Sequence, residues 1–155
     1  LLNFLKPETR GMVSEVTPTI GLTLEQFRRG KLDFTCFDMS GQSKYRSLWE
    51  KYYENCDAII WVVDSADPLR MCVVKDEFRM MLSHKDIESK AAPVLFFANK
   101  MDVESAMSPE TVVDELELGR LRDREWHVGA CNAISGKGVD EGLDWLIREI
   151  EKGRK

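Results

Sequence analysis

Ala92-Pro93-Val94-Leu95-Phe96-Phe97-Ala98-Asn99-Lys100-Met101-Asp102 is the stretch on which the fold turns. From Ala92 to Ala98 it is short, apolar and bulky, the character of a strand buried on both faces of a parallel sheet. It then changes abruptly to an amide, a lysine and an acid. Ligands of open α/β sheets sit at the carboxyl ends of strands, so this junction is where chemistry is expected. Upstream, Ala58 to Val63 has the same strand character and is bounded by acids and a turn; downstream, Trp126 to Cys131 is a weaker third case.

Helical patterns lie between these strands. Asp67-Pro68 is a cap followed by a first-turn proline, and Met71, Val74, Phe78, Met81 and Leu82 then recur at helical spacing. Ser108-Pro109-Glu110 opens a second helix in the same way, and the last presents Val139, Leu143, Leu146, Ile147 and Ile150 on one stripe. These stripes read as core packing. Leu1 to Lys6 reads as a helix stopped by Pro7, and Leu22 to Phe27 with Lys31 to Phe37 as a hairpin joined by Arg28-Arg29-Gly30. Strands alternating with helices imply right-handed βαβ units and a sheet covered on both faces. At 155 residues, with no repeats, linkers or low-complexity segments, residues 1–155 read as a single domain.

Composition narrows the function. The chain is 43% hydrophobic and 32% charged with a formal charge of -5, which argues against a general nucleic-acid or anionic-membrane binder, since such surfaces usually carry a basic excess. Cys36, Cys56, Cys72 and Cys131 are scattered, which fits reduced thiols better than a disulfide framework or a zinc site. His84 and His127 are too few and too distant to suggest a metal centre. The longest purely apolar run, Ala58 to Val63, is far short of a membrane span.

Four loops hold unusual residues. Asp38-Met39-Ser40-Gly41-Gln42 follows a strand: its carboxylate can hold magnesium, usually through water, Gly41 leaves its amide open to a phosphate, and Gln42 can orient a water. In Asn99-Lys100-Met101-Asp102, an acid can accept both N–H donors of a guanine edge while the lysine stem packs over the base. In Ala130-Cys131-Asn132-Ala133-Ile134-Ser135-Gly136, a small residue lets backbone amides approach the base oxygen. Thr17-Pro18-Thr19-Ile20-Gly21 places a hydroxyl ahead of the hairpin, where it can complete a magnesium shell.

With the loops in this order, the chain resembles the Arf branch of small GTPases over essentially its whole length. Pro18-Thr19-Ile20-Gly21 looks like the first switch of that branch. Asp38 to Gln42, with Tyr45-Arg46, Leu48-Trp49 and Tyr52-Tyr53, looks like the second. Phe97 to Asp102 and Gly142-Leu143-Asp144-Trp145-Leu146 complete the match. Phe37 to Gln42, Leu69-Arg70-Met71 and Leu95-Phe96-Phe97 most resemble the Arf-like subtype associated with Bardet–Biedl syndrome and cilia.

The resemblance implies a Ras-like P-loop NTPase G domain: a doubly wound, mostly parallel sheet with one antiparallel hairpin. It implies a GTP-hydrolysing switch that binds GTP or GDP with Mg²⁺. Thr19 would contact magnesium and the γ-phosphate, Gly41 that phosphate, and Asp38 the magnesium through water. Gln42 would position the hydrolytic water, while Asn99, Lys100, Asp102 and the Ala133 amide would read guanine. Implied partners are an exchange factor, a GTPase-activating protein and a BBSome-like effector coat complex met through Leu22, Phe37 and Tyr52. The implied setting is a cytoplasmic monomer, peripheral to ciliary or basal-body membranes, that binds no nucleic acid.

The chain departs from the family at Ser40, usually glycine outside the ciliary subtype, and at Asn132 and Ile134, usually cysteine and threonine. Two of the three effector-patch residues are not the usual aromatics, which favours a specialised effector. No G-x-x-x-x-G-K-[S/T] occurs, and Leu1 matches a position just after that motif. The sequence is therefore expected to be a fragment of a longer protein, without the first strand, the phosphate loop and a membrane-facing N-terminal helix. Loss of that strand would leave two neighbours with open edges. The alternative is a non-catalytic, protein-binding pseudo-GTPase without nucleotide cycling, although the retained Gln42 beside Asn99-Lys100-Met101-Asp102 speaks for the switch.

Overall fold

The computed structural model describes residues 1–6 and 18–154, which fall into two compact units, Leu1–Asn55 and Cys56–Lys155. The proposed stop at Pro7 lies outside the described residues.

The first unit opens with a single helical turn, α1 (Leu2–Leu5), and continues in the hairpin β1 (Leu22–Arg29) and β2 (Leu32–Met39). Its antiparallel register runs from Leu22 opposite Met39 to Arg29 opposite Leu32. Both strands therefore extend beyond the sequence expectation. Arg28 lies opposite Asp33 and Arg29 opposite Leu32, so both arginines belong to the ladder and the turn contracts to Gly30 and Lys31. Gly30 has φ +61°, the left-handed conformation that tight hairpin turns require. Phe27 and Phe34 stack across the strands with ring centres 5.2 Å apart. Lys6 pairs with Glu25 of β1. After the hairpin, Ser43–Asn55 forms a 3₁₀ helix of 13 residues, far beyond the three or four at which such helices usually stop.

The second unit is a three-stranded parallel sheet in the order β3 (Ile59–Asp64), β4 (Val94–Asn99), β5 (Trp126–Ala130). Around it lie α2 (Met71–Leu82), α3 (Lys85–Glu88), α4 (Pro109–Glu115) and α5 (Val139–Gly153). The central strand is fully buried from Val94 to Ala98, as its apolar run demands. Strand side chains alternate between faces. Phe96 meets Phe78 of α2 edge-on at 4.9 Å, and Phe97 packs so tightly on α5 that a Cβ at Gly142 would lie 2.6 Å from its ring. The expected two-sided cover of the parallel sheet is thus present.

Two helix starts behave differently. Ser108 caps α4 as its sequence suggests, its hydroxyl accepting the Thr111 N–H at 3.2 Å. Asp67 makes no cap bond; its carboxylate pairs with Arg70 at 3.0 Å instead, and Pro68–Arg70 forms a 3₁₀ turn before α2 begins.

Candidate functional site

In the first unit, the register of the hairpin sets the geometry. Gly21, with φ +74°, accepts the Ser40 N–H at 3.0 Å, which brings the segment before β1 against the end of β2. Thr19 and Asp38, 19 residues apart in sequence, thereby meet: the Thr19 hydroxyl donates to an Asp38 carboxylate oxygen at 3.1 Å. A hydroxyl and a carboxylate side by side are the hard oxygen donors that a magnesium ion prefers. The donor set fits that ion.

Ser40, noted above only as a departure, turns out to organise this loop. It is 4% exposed; its hydroxyl accepts the Gln42 N–H at 3.3 Å and its carbonyl accepts the Trp49 indole N–H at 3.1 Å. A glycine there could not make the first bond. The Arg46 guanidinium donates to the Gly41 carbonyl at 3.0 Å. A Cβ at Gly41 would meet nothing within 4 Å, so open space, not packing, surrounds this glycine. Gln42 is exposed. Phe37 and Tyr52 touch with ring centres 4.6 Å apart, so two of the three candidate effector residues form one aromatic surface.

In the second unit, parallel register aligns the strand ends, with Asp64 opposite Asn99 and Ala98 opposite Ala130. Two loops that leave those ends are then tied together. The Met101 N–H donates to the Cys131 carbonyl at 3.2 Å, and the Ala133 N–H donates to the Asn99 side-chain oxygen at 2.9 Å. Both of these last groups were expected to face a base. In the structure they bond to each other, so Asn99 braces the small-residue loop. Asn132, a second departure, takes over the loop's interior, its side-chain oxygen accepting the Ile134 and Ser135 N–H groups at 2.8 and 3.2 Å. Lys100 has φ +67°, a strained conformation for a non-glycine residue of the kind that collects at binding sites. Asp102 is exposed, its carboxylate accessible to a donor pair.

Cys131 lies under this loop, 1% exposed, its thiol 3.6 Å from the Asn99 side-chain oxygen. Burial pushes its pKa up to about 11. Burial first, and then the charges of Asp38 and Glu25, push Cys36 to about 11 as well. At pH 8 each is about one part in a thousand thiolate. Alkylation at that pH is expected to modify exposed Cys72 and to spare Cys36 and Cys131, as peptide mass spectrometry of the folded protein would read.

A parallel sheet with helices on both faces, a separate hairpin and loops of this order define the Ras-like small GTPase fold. Residues 2–150 match the model of the ADP-ribosylation factor family. The chain belongs to this family of GTP hydrolases. It is 47% identical over 150 residues to ADP-ribosylation factor-like protein 6 of Danio rerio, covering 97% of this chain and 80% of that protein. It is also 40% identical over 153 residues to ADP-ribosylation factor-like protein 6 of Caenorhabditis elegans, covering 98% of this chain and 80% of that protein. Among solved structures, the Arl6 BBS3 small GTPase of Trypanosoma brucei with bound nucleotide analogue GppNp aligns with a TM-score of 0.89. It is 42% identical and covers 98% of this chain and 89% of that one. Among the described residues no helix is long and apolar enough to cross a membrane.

Proposed function

We propose that this chain works as the guanine-reading switch of an Arf-like GTPase of the ciliary subtype. The observation that carries it is the 2.9 Å bond from Ala133 N–H to Asn99, which joins two loops at neighbouring strand ends into one platform beside Asp102. On that platform the Asp102 carboxylate accepts the two N–H donors of guanine, and the Lys100 stem covers the face of the base. Asn99 and Ala133 hold the loop in shape. In the first unit, Thr19 and Asp38 would hold magnesium, which supplies charge neutralisation for the phosphates when bound. Gly41 leaves its amide open to the terminal phosphate. Gln42 orients the attacking water, a positioning role.

Full-length protein purified with magnesium should retain labelled GTP in preference to ATP, and lose it when magnesium is chelated. Equal retention of both nucleotides, or of neither, sinks the reading and leaves the protein-binding module in its place. Gln42→Leu should leave GTP binding within about twofold and slow hydrolysis about tenfold or more. Single-turnover phosphate release with and without a GTPase-activating protein measures it.

The finer role is recruitment of a BBSome-like coat complex to ciliary membranes by the GTP-bound form. It is supported by the likeness to the factor-like 6 relatives and by the Phe37–Tyr52 contact. Leu22, Phe37 and Tyr52 would form the contact surface. Indistinguishable coat binding by the GTP- and GDP-loaded proteins would remove this part alone.

A further inference from the structure

Asp64 closes β3, directly across the parallel register from Asn99. Its carboxylate is held at both oxygens: one accepts the Lys100 ammonium at 2.7 Å, the other the Ala66 N–H at 3.1 Å. The backbone around it is knitted to the same corner. The Ser65 N–H donates to the Asn99 carbonyl at 3.1 Å, the Asp67 N–H to the Asp64 carbonyl at 3.2 Å, and the Met107 N–H to the Ser65 carbonyl at 2.8 Å. The carboxylate therefore has a fixed place and direction, set by the strand and by the turn after it.

Lys100 has the opposite character. Its flexible four-carbon stem carries about 2 kcal/mol of rotamer entropy. Pinning its far end lowers the entropic cost of laying the stem over a base. The +67° φ of Lys100 fixes where the stem starts, and Asp64 fixes where it ends. The two side chains are 52% and 43% exposed, so their pairing adds little to folding stability. Its consequence is geometric.

We propose that Asp64 is a positioning residue for guanine nucleotide, acting through Lys100 by anchoring the ammonium so that the stem lies over the base. The proposal rests on the reading of Lys100 and Asp102 given above. Because the pair is exposed, salt screens it, and its effect shrinks as ionic strength rises.

The test is the dissociation rate of fluorescent GDP from the full-length protein. Asp64→Asn keeps an acceptor for Ala66 but loses the charge, and should speed release about three- to tenfold in low salt and less in 1 M salt. Asp64→Glu should recover part of the loss. Made in a Lys100→Met background, Asp64→Asn should add nothing further, and the melting temperature of the ligand-free protein should stay within about a degree of wild type. An unchanged release rate, or the same loss with and without Lys100, overturns the assignment, as does a loss accompanied by a lowered ligand-free melting point that Asp64→Glu does not restore. If the unsubstituted protein holds no guanine nucleotide, the base site itself falls. That outcome differs from wild-type binding with a silent Asp64→Asn.

Discussion

Replacing Gly138 with alanine is expected to destabilise the protein by roughly 3 kcal/mol or more, the sum of a left-handed backbone penalty and a collision with main chain. Gly138 sits at φ +78° just before α5, and a Cβ there would fall 1.9 Å from the Ala130 carbonyl oxygen. No rotamer relieves that contact, because the obstacle is the last residue of β5. The chain must instead move the start of α5 or the end of β5, and either shift displaces the Asn132–Lys137 bond at 2.9 Å that closes the loop below Ala133. Urea unfolding of the full-length protein reads the stability loss. A midpoint within experimental error of wild type would show that the helix start can yield.

Asp102→Asn should weaken guanine nucleotide binding by roughly 3 kcal/mol, more than a hundredfold, at unchanged ligand-free stability. A carboxylate accepts both the ring N–H and the exocyclic amino donors of guanine. An amide offers one acceptor and presents an N–H to the second donor, leaving a polar group unmatched at the base edge. The same amide complements a purine with a carbonyl at that position, so xanthine nucleotides should bind the variant better than they bind wild type. Calorimetric titration with GDP and xanthosine diphosphate checks both halves. Retained guanine affinity would show that another group reads the base.

Much of this was legible in the sequence, for reasons that lie in individual residues. Val94 to Ala98 read as a buried strand because nothing but burial on both faces tolerates such a run, and Ser108-Pro109 read as a helix start because cap and first-turn proline act locally. Asp67-Pro68 carries the same signal, yet its carboxylate went to Arg70; a local rule cannot see a competing cation one turn away. Arg28 and Arg29 look like turn residues in isolation, but the register sets them opposite Asp33 and Leu32 and moves the turn to Gly30 and Lys31. Loop identities could be read, but loop wiring could not. The pairing of Asn99 with Ala133 depends on parallel register, and the roles of Ser40 and Asn132 depend on which amides lie within reach. Asp64 reads from sequence only as an acid bounding a strand; its bond to Lys100 depends on the register that sets it opposite Asn99.

The long 3₁₀ segment Ser43–Asn55 carries a consequence of pitch. Such a helix turns about 120° and rises about 2.0 Å per residue, against about 100° and 1.5 Å for an α-helix. Were these 13 residues to rewind as α-helix, their last residue would swing by about 240° relative to their first, and the segment would shorten by about 6 Å. Tyr52, now against Phe37, lies near the swinging end. A modest change in winding, with every residue still helical, would therefore act as a crank that turns one aromatic face away and brings another round.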